Sequence, residues 1–145
     1  MRMLTLTAAL ATGNLTTLTD ADACKGYRDT ETVSVEFLDM QAFTRLLEKD
    51  GKVALFDANG LATRSKYGAI PGASLLSHYK SYSLKELPPD KDAKLVFYCG
   101  GARCKAAEKS ALRAVEEGYT DVAVFRGGIQ EWAATGRKTV PVPAS

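Results

Sequence analysis

The chain contains few of the side chains that build metal or disulfide sites. Its 145 residues include one histidine, His78, and three cysteines, Cys24, Cys99 and Cys104. Three unevenly spaced cysteines are too few for a disulfide scaffold. With one histidine they also do not form the two close ligand pairs of a structural zinc site. We therefore expect no bound metal.

The chain also lacks an excess of one charge and a long apolar run. Its 19 basic and 17 acidic residues give a net charge of +2, with no block of six like charges. This balance argues against nucleic acid as a partner. No apolar run approaches the roughly 20 residues of a membrane-spanning helix, so we expect no membrane partner. The length fits one domain with a real core.

The N-terminal segment has two interpretations. Residues 1–11 combine a basic start, a short semi-apolar stretch and the triplet Ala9-Leu10-Ala11, which resembles a signal-peptide cleavage site. Threonines weaken the apolar stretch. We therefore favour the interpretation that residues 1–31 are an N-terminal extension of a cytoplasmic protein. The alternative is a weak signal peptide and a periplasmic or secreted protein. Cys24 is expected to be a bystander.

From residue 32 onward, strand-like and helix-like segments alternate. The pattern predicts strands at 32–37, 53–56, near 74–76, 95–98 and 122–125, and helices at 39–51, 61–67, 83–90, 105–118 and 127–136. Such alternation predicts one α/β domain over 32–140, with a mainly parallel sheet and helices on both faces. Residues 141–145 form a C-terminal tail.

The most informative segment is the loop from Cys99 to Cys104. Cys99 follows a buried strand and precedes a helix, and Gly100 and Gly101 come next. Ligands bind beyond the carboxyl ends of parallel strands. Inward backbone N–H groups and a helix N-terminus favour a thiolate, so we expect a Cys99 pKa in the range of roughly 3.5–7.5. Arg103 and Lys105 add positive charge, which predicts a cysteine nucleophile and an anionic substrate.

Three ordered segments, within roughly 33–140, resemble the single-domain rhodaneses. They are Phe56-Asp57-Ala58 with Arg64 and Gly68-Ala69-Ile70-Pro71-Gly72-Ala73; Leu95-Val96-Phe97-Tyr98-Cys99 with its glycine loop; and Gly118-Tyr119, Val122 and Gly127-Gly128-Ile129-Gln130-Glu131-Trp132.

The resemblance implies a five-stranded rhodanese-like domain and a sulfurtransferase, which we expect to be a monomer. Cys99 would accept sulfur from thiosulfate, a polysulfide or a persulfide and pass it to cyanide, a thiol or a protein acceptor. No metal or organic cofactor is needed for such a double displacement. The substrate-binding loop would comprise Gly100, Gly101, Ala102, Arg103, Cys104 and Lys105.

The chain departs from the family pattern at three positions. Cys104 stands where relatives commonly carry the last arginine of the loop, which resembles a variant branch with two cysteines separated by four residues. In Gly68-Ala69-Ile70-Pro71-Gly72-Ala73, Ala69 stands where relatives usually carry a histidine. Asn59 replaces an arginine, and Arg64 is available to substitute for its charge.

Several residues have a structural and a chemical interpretation. Cys104 either packs in the first turn of the helix or acts as a resolving thiol that attacks a Cys99 persulfide, and we weigh the two equally. We expect Asp57 to pin its loop through hydrogen bonds and Arg64 to pair with a carboxylate. Tyr119 and Trp132 are expected in the core, and His78 at the surface.

Two other functions remain open. A cysteine-dependent phosphatase or arsenate reductase would prefer a loop one residue longer, closed by arginine, whereas the corresponding residue here is Lys105. A non-catalytic rhodanese-like binding module commonly lacks the cysteine, which is present here as Cys99.

Overall fold

Five short parallel strands form the central sheet. The computed structural model describes residues 35–49 and 51–143, which belong to one compact unit. The strands are β1 (Glu36–Leu38), β2 (Ala54–Asp57), β3 (Ser74–Leu75), β4 (Leu95–Tyr98) and β5 (Val122–Phe125). Their order in the sheet is β1-β5-β4-β2-β3. The central strand β4 is buried over its whole length, as its unbroken apolar sequence requires.

The described part of the chain has four α-helices, of which the first three connect strands and the fourth follows β5. They are α1 (Met40–Lys49), α2 (Leu61–Tyr67), α3 (Ala106–Glu116) and α4 (Gly128–Ala134). The first begins after Asp39, whose carboxylate accepts a hydrogen bond from the Ala42 N–H at 2.7 Å, as an N-cap does. The third ends before Gly118, which has a φ of 94°.

The two faces of the sheet bury separate clusters of side chains. On one face, Phe56, Phe97 and Val124 pack against alanines of α3 and against Tyr82. On the other face, β-strand side chains pack against α1 and α4, where the Phe43 and Phe125 rings stack at 4.3 Å. The predicted α/β domain with a parallel sheet and helices on both faces is therefore confirmed.

Some boundaries differ from the sequence predictions. The first strand is Glu36–Leu38, and the part of the predicted segment before residue 35 lies outside the described residues. The helix predicted over 83–90 is one 3₁₀ turn, Leu84–Glu86. Ser83 and Glu86 form a capping box there, but the following Pro88 and Pro89 prevent continuation.

The predictions for the N-terminal extension, its cleavage site and Cys24 concern residues outside the described part. Tyr119 and Trp132 are buried, as predicted. None of the described helices has the length and apolar character needed to cross a membrane.

Candidate active site

A buried hydrogen-bond network fixes the carboxyl ends of β2 and β4. The Asp57 carboxylate is inaccessible to solvent and accepts hydrogen bonds from the Tyr98 hydroxyl at 2.7 Å and from the Asn59 N–H at 2.7 Å. Arg64 forms a 3.2 Å ion pair with the same carboxylate and also donates to the carbonyl of Leu76. Asp57 and Arg64 thus connect β2, β4 and the end of β3 beneath the site.

Tyr98 has a second role in this network. Its hydroxyl accepts a hydrogen bond from the Ile70 N–H at 2.9 Å while it donates to Asp57. Burial, followed by the charge of the Asp57 carboxylate, raises the pKa of Tyr98 far above its ordinary value. The phenol therefore stays protonated and holds the residue directly before Cys99.

The first turn of α4 holds the backbone of the cysteine loop. The N–H groups of Ile129 and Gln130 donate to the carbonyls of Cys99 and Gly100 at 2.9 and 3.0 Å. This approach is possible because residue 128 is glycine: it has a φ of 62°, and a Cβ there would overlap the Cys99 carbonyl oxygen. Gly128 thereby allows the first turn of α4 to approach the cysteine loop and hold it in position.

The Cys99 thiol lies under the loop. It is 3% exposed, and its Sγ donates a hydrogen bond to the Cys104 carbonyl at 3.3 Å. Burial, and then a hydrogen bond with the Cys104 side chain, raise the pKa of Cys99 to about 12. The expected lowering of this pKa is therefore wrong for this conformation: the backbone N–H groups of Gly100 and Ala107 favour the thiolate but do not offset the loss of hydration.

Cys104 occupies the opposite environment. It is exposed and forms no disulfide within the described part of the chain, and its N–H donates to the Gly101 carbonyl at 2.9 Å, which closes a tight turn. Neither Gly100 nor Gly101 has a positive φ. The two thiols of the loop therefore differ in accessibility: one faces solvent and one is covered.

A cavity of about 940 Å³ opens beside the loop, at the carboxyl ends of β2, β3 and β4. Four segments line it: residues 100–104 with 106, residues 58–60 with 63, residues 77–79, and residue 130. The lining contains no Asp or Glu, and Arg103 is its one permanent charge. Of the predicted substrate-binding residues, Gly100 to Cys104 line the cavity. Lys105 does not; it forms a 3.1 Å ion pair with Glu108.

Asn59 and Gln130 also line the cavity and were missed by the sequence analysis as site residues. The side-chain oxygen of Asn59 and the side-chain nitrogen of Gln130 lie 3.7 and 3.8 Å from where a Cβ on Gly100 would be. The Asn59 side-chain nitrogen is buried without a hydrogen-bond partner in the described part of the chain. In the sequence, the replacement of the family's arginine by Asn59 could have indicated a site residue at this position. Nothing in the sequence indicated that Gln130 lines the cavity.

His78 lies at the cavity rim and is exposed, as predicted. Its ring Nδ1 lies 3.2 and 3.3 Å from the N–H groups of Lys80 and Ser81, so it accepts from its own turn. Ala69, at the position of the family histidine, is buried. Among the described residues, no group of three or more His, Cys, Asp or Glu side chains is arranged to hold a metal ion.

Comparison with known proteins identifies the fold. The model of the rhodanese-like domain matches residues 39–135. No curated protein has significant sequence similarity to the chain. A protein of unknown function from Rhodopseudomonas palustris, described as a possible tyrosine phosphatase, is 22% identical; the match covers 97% of this chain and 100% of that one, with a TM-score of 0.59.

Two further solved structures have the same fold. A rhodanese-like domain protein from Staphylococcus aureus is 18% identical, with coverage of 73% of this chain and 99% of that one and a TM-score of 0.58. A thiosulfate sulfurtransferase from Pseudomonas aeruginosa is 17% identical, with coverage of 77% and 22% and a TM-score of 0.56. At these identities the likeness concerns the fold.

Proposed function

Because the chain belongs to the rhodanese-like domain family, we propose that it is a sulfurtransferase in which Cys99 carries sulfane sulfur as a persulfide. The donor is thiosulfate, a polysulfide or another persulfide, and the acceptor is cyanide, a thiol or a protein. The observation that carries the proposal is a buried cysteine directly after β4, whose loop, from Gly100 to Cys104, lines a cavity without acidic residues.

The first step forms one sulfur–sulfur bond and breaks another. The Cys99 sulfur attacks the outer sulfur of the donor, and sulfite, a shortened polysulfide or a thiolate leaves with the bonding electron pair. The S–H proton that Cys99 directs at the Cys104 carbonyl passes to the leaving group or to solvent as the new bond forms. Because Cys99 is 3% exposed, the loop also has to expose its sulfur when a donor binds.

Stabilisation of negative charge replaces a general base in this proposal. Ala69 provides no imidazole, and His78 accepts hydrogen bonds from its own turn. Preorganised donors aimed at developing charge contribute several kcal/mol, about 2.7–4 for one such donor. In this proposal, the backbone N–H groups next to Cys99 and the Arg103 side chain at the cavity are the hydrogen-bond donors. They stabilise the negative charge of the sulfur-donating substrate and of its leaving group.

Cys104 gives the second step two routes. As a resolving thiol it would attack the sulfur of Cys99 in the persulfide, release sulfide and leave a Cys99–Cys104 disulfide. As a packing residue it would leave the persulfide for an external acceptor. Its exposure, and the 3.3 Å hydrogen bond by which Cys99 Sγ reaches the Cys104 carbonyl, are compatible with the first route.

Phosphate-ester hydrolysis is the competing activity, since the Rhodopseudomonas palustris protein is described as a possible tyrosine phosphatase. The residue that would close the longer phosphate loop is Lys105, which is engaged by Glu108. This pairing favours sulfur transfer.

A side-by-side activity assay tests the proposal. Purified protein is incubated with thiosulfate or polysulfide and with cyanide, and thiocyanate formation is followed; p-nitrophenyl phosphate is assayed in parallel. We expect thiocyanate from the parent protein and none above background from Cys99→Ser. Phosphate release without thiocyanate would replace the proposal by a phosphatase, and loss of both activities would indicate a binding module.

A further inference from the structure

The side chain of Asn59 contains a buried polar atom that the fold does not use. Asn59 lines the cavity and is 7% exposed. Its backbone N–H donates to the Asp57 carboxylate at 2.7 Å, but its side-chain nitrogen is buried without a partner among the described residues. An unpaired buried donor destabilises the folded state, so its presence at a cavity requires an explanation.

The hydrogen-bond network around Asp57 does not require the Asn59 side chain. The Asp57 carboxylate accepts hydrogen bonds from the Tyr98 hydroxyl, the Arg64 guanidinium and the Asn59 backbone N–H. Arg64 supplies the positive charge, and the backbone of residue 59 supplies its N–H whichever side chain is present. The side chain of Asn59 is therefore available to the cavity.

The Asn59 amide faces a small recess beside Gly100, the residue that follows Cys99. Three cavity-lining side chains surround this recess, and they belong to Asn59, Thr63 and Gln130. Their nearest atoms lie 3.7 to 3.8 Å from where a Cβ on Gly100 would be. These are ordinary van der Waals distances, so one additional atom fits in the recess without displacing its walls.

A half turn of the Asn59 amide exchanges the atom that faces the recess. In the structure its oxygen faces the recess, while its nitrogen is buried and breaks no hydrogen bond of the described protein when it turns. The last side-chain torsion of asparagine is broad and roughly two-fold, so both orientations are accessible. Each orientation leaves one end of the amide buried, and a ligand in the recess therefore decides between them.

We propose that Asn59 is a specificity-determining residue of the sulfur-transfer reaction. When a donor with a negatively charged oxygen enters the cavity, the amide turns and its nitrogen donates a hydrogen bond to that oxygen. The inference rests on the proposed function. The Gln130 side-chain nitrogen faces the same recess and provides a second donor. Polysulfide has no oxygen and gains nothing from this contact, so Asn59 favours thiosulfate over polysulfide.

The contact leaves the balance of the transfer unchanged. The Cys99 sulfur bonds to the outer sulfur of thiosulfate, the sulfur–sulfur bond of thiosulfate breaks, and sulfite leaves with the electron pair. The proton of Cys99 passes to sulfite. The oxygen that accepts from Asn59 is charged in thiosulfate and in sulfite, so the hydrogen bond forms on binding and persists until sulfite departs.

Two donors test this role in one variant. The rates at which thiosulfate and polysulfide load sulfur on Cys99 are measured from the mass of the Cys99 peptide after rapid alkylation. We expect the thiosulfate-to-polysulfide rate ratio to fall about tenfold in Asn59→Ala, because a hydrogen bond to a charged group typically contributes a factor of about 10 or more. An unchanged ratio, or an equal loss with both donors, would overturn the proposal.

Urea unfolding distinguishes a specificity role from a structural one. Removing a buried donor that has no partner should leave the urea midpoint unchanged or raise it. A midpoint clearly below that of the parent protein would show that the fold uses this side chain, and would overturn the proposal. The control is Gln41→Ala, which removes an exposed amide from α1 outside the cavity and should keep the parent rate ratio.

Binding of thiosulfate to Cys99→Ser separates this inference from the proposed function. This variant has no thiol to accept the sulfur at residue 99, and calorimetry with and without Asn59→Ala reports the hydrogen bond alone. Asn59→Ala should weaken binding about tenfold. Such weakening, with no sulfur loaded on the parent protein by either donor, would overturn sulfur transfer and keep the Asn59 contact. Loading from both donors at an unchanged ratio would keep sulfur transfer and overturn the contact.

Discussion

The contact between Gly128 and the cysteine loop provides a sharp test of how the site is positioned. Gly128 has a φ of 62°, and an added Cβ would overlap the Cys99 carbonyl oxygen and lie 2.8 Å from the Gly100 carbonyl carbon. Both are backbone atoms that α4 holds through hydrogen bonds. Gly128→Ala must therefore either displace the loop or move the start of α4.

Gly136 is the matched control. It also has a positive φ, 76°, but a Cβ there would meet no atom within 4 Å. Gly136→Ala carries only the conformational cost of a left-handed residue, about 1–2 kcal/mol. Gly128→Ala carries this cost and the overlap, typically about 1–3 kcal/mol more. We expect a total destabilisation of about 2–5 kcal/mol for Gly128→Ala.

Urea unfolding measures the stability of both variants, and sulfur loading on Cys99 measures the site. Gly136→Ala should load sulfur at the parent rate, while Gly128→Ala should load it more than tenfold more slowly under conditions where it is folded. Equal stability and equal loading in the two variants would refute the conclusion that α4 positions the loop.

Three further predictions concern the loop itself. Arg103→Ala should raise the Michaelis constant for thiosulfate and weaken its salt dependence, and Lys105→Ala should do less because Glu108 already pairs with it; equal effects in steady-state kinetics would contradict this. Cys104→Ser should lengthen the lifetime of the Cys99 persulfide if Cys104 resolves it, and peptide mapping should find a Cys99–Cys104 disulfide in the parent protein alone; equal lifetimes and no disulfide would leave a packing role. Because burial raises the pKa of Cys99 to about 12, its alkylation by iodoacetamide should rise about tenfold per pH unit from about pH 7 to 10. A plateau above about pH 8 would show a lowered pKa instead.

The sheet and most helices could be predicted because their signals are local. The run Leu95–Tyr98 is apolar without interruption, and the structure buries it on both faces. Asp39 caps α1 from the predicted position. The helix predicted over 83–90 is too long because Pro88 and Pro89, which were included in it, end the 3₁₀ turn Leu84–Glu86.

The interior of the site depends on contacts between distant residues. Tyr98 and Asp57 are 41 residues apart, and Gln130 follows Gly100 by 30 positions. No spacing in the sequence indicates such contacts. The departure at Asn59 was visible, but its placement at the cavity depends on the fold around the buried Asp57 carboxylate, which accepts the Asn59 N–H.

The pKa of Cys99 was predicted wrongly for a similar reason. Its neighbours in sequence, two glycines and two cations, favour a thiolate. Its burial under the loop is a tertiary property, and it raises the pKa more than the nearby N–H groups lower it.

The most direct test of the central claim is the intact mass of the protein after incubation with a sulfane-sulfur donor. We expect a gain of one sulfur atom in Cys104→Ser, and in the parent protein sampled before Cys104 can resolve the persulfide. Cyanide should remove this sulfur, and peptide mapping should locate it on Cys99. Cys99→Ser should gain none. Equal, cyanide-sensitive labelling of Cys99→Ser and the parent protein would contradict the assignment of Cys99 as the sulfur carrier.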